Sequence, residues 1–286
     1  MISISAPAKI NWTLCITGKR PDNYHQIYSL MQCVTLYDRL IFTPSSEFIL
    51  KTTLDFPVED NLIYKAYQLL SNTISLKSRG TTPLGAVIEL HKEIPMQAGL
   101  GGGSSDAAAA LIGLNRLWNC GFSINDLSTI GAKLGSDVPF FIEGKYAVIE
   151  GRGEIVTPLK SSPVYDIILI KPDFNISTSW AYQRITQYSK VTSDYSNKLD
   201  QALKNRDFAQ IQLLMRNDFE PVLIEEFPMI SNIKSTLIEL GAVTAILSGS
   251  GSAIFGVYSD EKSALSALPK ITSSYPNYLI KHTKTL

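Results

Sequence analysis

One stretch constrains this chain more than any other. Pro95, Met96, Gln97, Ala98, Gly99, Leu100, Gly101, Gly102, Gly103, Ser104, Ser105 and Asp106 run straight into Ala107, Ala108, Ala109, Ala110 and Leu111. Glycine lets a backbone reach positive φ and approach a ligand closely. The alanine run is a strong helix former, and a helix start offers unpaired N–H groups with a partial positive charge. Together they make a cradle for phosphate, and so imply a nucleotide site. No lysine follows Gly103, so this is not a P-loop, and Ser104 stands where a dinucleotide fingerprint needs its third glycine. A flexible linker or a plain helix cap is the alternative reading.

The loop needs a scaffold, and the apolar pattern supplies alternating elements of both kinds. Strands are predicted over residues 2–16, 28–37, 39–43, 86–91, 146–150, 155–158, 166–171, 242–247, 253–258 and 278–281. Helices are predicted over 61–70 with Asp60 as cap, 105–117, from Ser123 or Asn125 to about 134, and over 180–186, 194–203, 208–215, 230–240 and 260–268. The pattern is α+β, without internal repeats. Ser161, Ser162 and Pro163 form the best hinge, which divides the chain into domains 1–160 and 161–286.

Three further places could carry chemistry. Lys9 and Asn11 lie two residues apart in a predicted strand and share a face; a solvated face is the plain alternative. Asp137 sits in a turn, Gly135-Ser136-Asp137, before an apolar Pro139-Phe140-Phe141 run; a turn-capping residue is the plain alternative. Ser248, Gly249, Ser250, Gly251 and Ser252 separate two predicted strands, as a hairpin loop or as a second backbone nest for an anion.

Composition narrows the partners. With 26 basic and 26 acidic residues among 286, the chain carries no net charge and no broad nucleic-acid surface. No apolar run reaches membrane-spanning length, and the start lacks the pattern of a signal peptide. Cys15, Cys33 and Cys120 lack metal-ligand spacing, so reduced thiols in a cytoplasmic protein and no structural metal are expected.

Taken in order, Pro7-Ala8-Lys9-Ile10-Asn11, Gly99 through Asp106, Gly135 through Pro139, and Ser248 through Gly251 resemble the galactokinase–homoserine kinase–mevalonate kinase–phosphomevalonate kinase (GHMP) superfamily. Gly18-Lys19-Arg20-Pro21-Asp22-Asn23-Tyr24-His25, Glu59 through Ile63, and Gly153-Glu154 are most similar to the 4-diphosphocytidyl-2-C-methyl-D-erythritol kinase family. The resemblance covers nearly the whole chain and is loose over 173–200. Asn23 stands where that family has glycine, and asparagine tolerates the left-handed conformation such a turn requires.

The resemblance implies an α+β two-domain fold: an N-terminal domain like the second domain of ribosomal protein S5 and a ferredoxin-like C-terminal domain, with substrates meeting in the cleft between them. It implies transfer of the ATP γ-phosphoryl group, with Mg²⁺, to the 2-hydroxyl of a cytidine-diphosphate methylerythritol, a step of isoprenoid precursor synthesis. Residues 95–106 would hold ATP, with backbone N–H groups of 100–105 on the triphosphate and Asp106 turned toward base or ribose. Asn61 and Lys92 would border the adenine. Lys9 and Asp137 would be catalytic, Lys9 keeping Asp137 ionised. Tyr24 would stack on cytosine, His25 would bond its edge and Tyr182 would form a second aromatic wall. Asn11 would reach the polar tail, and Gly249, Ser250 and Gly251 would close under the acceptor or phosphates. The expected partners are small molecules only, for a monomer or weak homodimer. A mevalonate, homoserine or sugar kinase, and a non-catalytic nucleotide-binding module, are the alternatives.

Overall fold

The computed structural model describes residues 1–77, 84–191 and 193–286. In chain order the elements are β1 (Ile2–Lys19), β2 (His25–Ser45), β3 (Phe48–Lys51), α1 (Leu62–Lys77), β4 (Gly85–His91), α2 (Gly102–Leu117), α3 (Ile124–Gly131), α4 (Val138–Glu143), β5 (Tyr146–Glu150) and β6 (Ile155–Pro158). They continue as β7 (Asp166–Lys171), α5 (Thr178–Gln183), α6 (Ser193–Asn205), α7 (Phe208–Leu214), β8 (Arg216–Asn217), α8 (Glu220–Glu226), α9 (Met229–Glu239), β9 (Thr244–Leu247), β10 (Ile254–Tyr258), α10 (Glu261–Ser274) and β11 (Leu279–Lys284). The chain forms two compact units. One comprises Met1–Ala8, Leu36–Met96 and Gly101–Gly144; the other comprises Lys9–Thr35, Gln97–Leu100 and Lys145–Leu286. Neither is a single segment, because β1 and β2 each lend residues to both.

In the first unit β4 pairs antiparallel with residues 39–45 of β2 and parallel with β3. Leu36, Asp38, Leu40 and Phe42 share one face of β2 by the period of two, and all are buried. The sequence separates two strands here, yet β2 is continuous through Asp38, because that carboxylate is fully paired inside. Phe42 lies in the core with Ile63, Ala66 and Leu70 of α1 and Ala107, Ala110, Leu111 and Leu114 of α2. A Cβ on Gly113 would stand 2.3 Å from the Phe42 ring, so glycine sets how closely α2 lies to the sheet. The cap of α1 is a correction: Asp60 closes a 3₁₀ turn, and Asn61 Oδ1 accepts from the Ile63 N–H at 2.9 Å. Ser123 caps α3 in a reciprocal box with Asp126.

In the second unit the antiparallel order β11-β7-β10-β9 gives the ferredoxin-like sheet. Ile167, Ile168, Leu169 and Ile170 are buried, as a central strand requires. Helix α9 packs on β9 and β10, and α10 on β7 and β11. Helix α10 runs past Pro269, where the sequence ended it, because Ala264, Ala267 and Ile271 continue one buried stripe through the proline. Residues 29–32 of β2 pair with β5, β5 pairs with β6, and Thr13 and Leu14 of β1 pair in parallel with β8.

Candidate active site

The glycine loop bridges the two units along the chain, so each half is built separately. In the first unit, Gly101 (φ 71°) stands at the N-cap of α2, and the helix begins at Gly102 rather than at Ser105. Gly103 and Ser104 follow in the first turn, so the serines and Asp106 lie within the helix. Pro95 and Met96 precede the loop, with the Met96 side chain exposed. A Cβ on Gly102 would press on Ile94 at 2.9 Å, which explains glycine there. Ser105 Oγ and Asp106 Oδ1 are buried without hydrogen-bond partners.

Asp106 pairs with Lys92, whose Nζ donates to Asp106 Oδ2 at 2.8 Å, also pairs with Asp38, and lies 3.3 Å from where a Cβ on Gly102 would stand. Asp38 Oδ1 accepts from the backbone N–H groups of Glu93 (2.6 Å) and Ile94 (2.9 Å). Two buried carboxylates thus share one ammonium. Burial pushes the Asp106 pKa up, Lys92 opposes this and Asp38 adds to it. Asp38 was missed by sequence reasoning, although a lone acid on the apolar face of a strand is itself a signal.

Asp137 heads α4, with Pro139 in the first turn, and makes no side-chain capping bond. A Cβ on Gly135 would stand 3.7 Å from Ser104 Oγ, so the turn before Asp137 lies beside the start of α2.

In the second unit, Lys9 and Asn11 share a face of β1, but that face is not solvated: they are 3% and 1% exposed. Lys9 Nζ donates to Asn11 Oδ1 at 2.7 Å, Asn11 Nδ2 donates to Ser29 Oγ at 2.8 Å, and Ser29 Oγ donates to Thr13 O at 2.6 Å. Asn11 thereby orients the ammonium.

Residues 248–252 join β9 to β10 and also lock onto the other half of the glycine loop. Ala253 N donates to Ala98 O at 3.0 Å and Ser248 Oγ to Gly99 O at 3.1 Å, while Lys9 N donates to Leu100 O at 2.9 Å. A Cβ on Gly99 (φ 74°) would stand 2.0 Å from Ser248 O. A Cβ on Gly249 (φ 57°) would stand 3.3 Å from Lys9 Nζ. Gln97 takes φ 52° and Gly251 φ 84°. Ser250 Oγ hydrogen-bonds Thr178 Oγ1 at 2.8 Å. Thr178, at the start of α5, was not anticipated from the sequence.

The aromatic residues gather in this unit too. Asn23 adopts φ 67°, the left-handed turn expected of it. The His25 ring stacks on Tyr182, with centroids 4.9 Å apart and planes at 18°, and Tyr188 stands 6.4 Å away. Burial, and then Lys19, lowers the His25 pKa, which keeps the imidazole neutral. Tyr24 is half exposed, with the Arg152 guanidinium 4.9 Å above its ring.

The fold has counterparts. Residues 61–145 match the model of the GHMP kinases N terminal domain, and residues 200–277 that of the GHMP kinases C terminal. A homoserine kinase from Cytophaga hutchinsonii has the same fold at TM-score 0.73 and 18% identity, covering 100% of this chain and 94% of that one. The class is thus that of the GHMP kinases. The chain is 43% identical over 272 residues to the 4-diphosphocytidyl-2-C-methyl-D-erythritol kinase of Thermodesulfovibrio yellowstonii, covering 94% of this chain and 93% of that relative. It is 38% identical to that of Pelotomaculum thermopropionicum, covering 99% and 98%. A crystal structure of a 4-(cytidine 5'-diphospho)-2C-methyl-D-erythritol kinase superposes at TM-score 0.84 with 28% identity, covering 99% of both chains. Within the class, this chain belongs to the 4-diphosphocytidyl-2-C-methyl-D-erythritol kinase family.

Proposed function

We propose that the protein transfers the γ-phosphoryl group of ATP to the 2-hydroxyl of 4-diphosphocytidyl-2-C-methyl-D-erythritol, a step of non-mevalonate isoprenoid precursor synthesis. The observation that carries the reading is the glycine loop. It opens α2 through a left-handed Gly101, in a chain of this family. The unmet hydrogen-bonding capacity of Ser105 and Asp106 supports a polar ligand at that helix start. Backbone N–H groups of 100–104 bind the triphosphate, while that of Ser105, expected among them, is spent on Gly101 O at 2.9 Å. Lys92 borders the base, beside Asp106, and Asn61 borders it through its amide nitrogen, the oxygen being spent on the α1 cap.

Lys9 stabilises charge on the moving phosphoryl group, and Asp137 orients the acceptor hydroxyl and takes its proton. If transfer is largely dissociative, orientation outweighs basicity. His25, neutral and held by Tyr182, reads the cytosine edge, and Tyr24 offers its ring to the base. Asn11 holds Lys9 in place, and the turn at Gly249, Ser250 and Gly251 closes under the phosphates.

Mg²⁺ neutralises the triphosphate when bound. Among the described residues, the one grouping of three potential ligands is Asp166, Glu261 and His282, and Lys284 already pairs with its two acids. The hydroxyls of Ser104 and Ser105, in the first turn of α2, are the groups that would hold the ion beside the phosphates. Among the described residues no helix is long and apolar enough to cross a membrane. The three free thiols support a cytoplasmic setting. The division 1–160 and 161–286 remains our proposal for the two kinase domains, supported by family matches that fall one on each side.

The test is ATP consumption with 4-diphosphocytidyl-2-C-methyl-D-erythritol, mevalonate and homoserine offered in parallel. Turnover with the cytidine compound alone is expected. Turnover with another acceptor would move the protein to a different GHMP activity, and ATP binding without turnover would favour the non-catalytic alternative.

A further inference from the structure

Two adjacent residues at the end of β8, outside every motif named above, tie down both working parts of the second unit. Asn217 is buried, and its amide is fully used. Nδ2 donates to Leu247 O at 2.9 Å and to Gly249 O at 2.8 Å, and Oδ1 accepts from Phe219 N at 3.0 Å. Its target, Gly249, is the residue whose notional Cβ stands 3.3 Å from Lys9 Nζ. A side chain with two donors on one nitrogen is needed to hold two carbonyls of one turn, and the acceptor beside them fixes which way the amide faces.

Asp218 points the other way along β1. Its Oδ2 accepts from Ile16 N at 2.7 Å and from Ser189 Oγ at 2.6 Å, and Arg216 pairs with Oδ1 at 2.8 Å. Ser189 N in turn donates to Ile16 O at 2.8 Å. The carboxylate therefore takes the place of a neighbouring strand at Ile16 and clamps residue 189 against it. The residue before it, Tyr188, is the ring that stands 6.4 Å from His25. Bonds to a largely buried carboxylate are stronger than neutral ones, so this clamp is stiff.

We infer that Asn217 and Asp218 are a pair of positioning residues with separate duties: Asn217 sets the Gly249 turn against Lys9 for phosphoryl transfer, and Asp218, through Ser189, sets Tyr188 beside His25 for acceptor recognition. Neither touches a reacting atom. The inference rests on the kinase function proposed above and divides its two halves between neighbouring residues.

The experiment is steady-state kinetics with ATP and the cytidine acceptor on wild type, Asn217→Asp and Ser189→Ala. Asn217→Asp keeps the shape but turns two donors into an acceptor facing two carbonyls. A kcat loss of about 10²-fold is expected, with both KM values within about threefold of wild type. Ser189→Ala removes one bond to Asp218, and KM for the acceptor is expected to rise about tenfold at unchanged kcat and unchanged KM for ATP. Should Asn217→Asp fail to fold, Asn217→Ser, which keeps a donor, replaces it with the same direction of change. Equal losses in kcat and both KM values in the two variants, or wild-type kinetics in both, overturn the inference. Absence of turnover in the wild type would instead overturn the proposed function, and this inference with it.

Discussion

Lys9 shows how much a single residue's setting decides. An ammonium held at 3% exposure by Asn11 and Ser29 is not a solubilising charge, because removing it from water costs several kcal/mol unless it is paired or put to use. Asp137 is the proposed counterpart in the reaction. Asp137→Asn should lower kcat by about 10²-fold or more with little change in either KM, read by steady-state kinetics. A near-normal kcat would remove it from the mechanism. His25 belongs to binding. His25→Ala should raise KM for the cytidine acceptor and leave KM for ATP alone. Its lowered pKa adds a pH signature: burial, and then the Lys19 charge, favours the neutral ring, which gains its proton below its ordinary value. Acceptor KM should therefore be flat above neutrality and rise on acidification, and that rise should vanish in His25→Ala.

At the scale of elements, two glycines decide between opposing effects. In the middle of α2, replacing Gly113 with alanine gains about 1 kcal/mol of helix propensity. Its Cβ would stand 2.3 Å from the Phe42 ring, and overpacking a core costs about 1–3 kcal/mol. The steric term should win, so Gly113→Ala is expected to lower the denaturation midpoint, and Phe42→Leu in the same chain should recover part of the loss. Gly99→Ala is more severe, because positive φ and a 2.0 Å approach to Ser248 O coincide. The contact between the loop and the β9–β10 turn should open, with activity lost well before the global fold, as circular dichroism beside kinetics would register.

At the scale of the whole molecule, a nucleotide that binds only the folded chain must stabilise it. At a concentration 100 times Kd the gain is about 2.7 kcal/mol, which shifts the midpoint of a chain this long by several degrees. Thermal denaturation with and without Mg-ATP tests this, and an unmoved midpoint at saturating nucleotide would contradict the proposed site. The same measurement on Asp38→Asn probes the buried Asp38–Lys92–Asp106 cluster. Losing Asp38 releases Lys92 wholly to Asp106, so the Asp106 pKa should fall.

Motifs and periodicity were legible in the sequence because each is local. The glycine loop, the left-handed Asn23, the central β7 and the hairpin around residues 248–252 all follow from residue type and spacing. The loop, Lys9, Asp137 and His25 were marked before any contact was known. Tertiary structure alone decided the rest. Asn61 rather than Asp60 caps α1, and α2 starts three residues early. It also decided that β2 passes through Asp38 and that α10 passes through Pro269. For β2 and α10 the reason is that a buried ion pair at Asp38 and a continuous apolar stripe through Pro269 outweigh a local preference worth at most a few kcal/mol. Asp38, Asn217 and Asp218 act on partners far away in the chain, so their roles exist only once the fold has brought those partners within hydrogen-bonding distance.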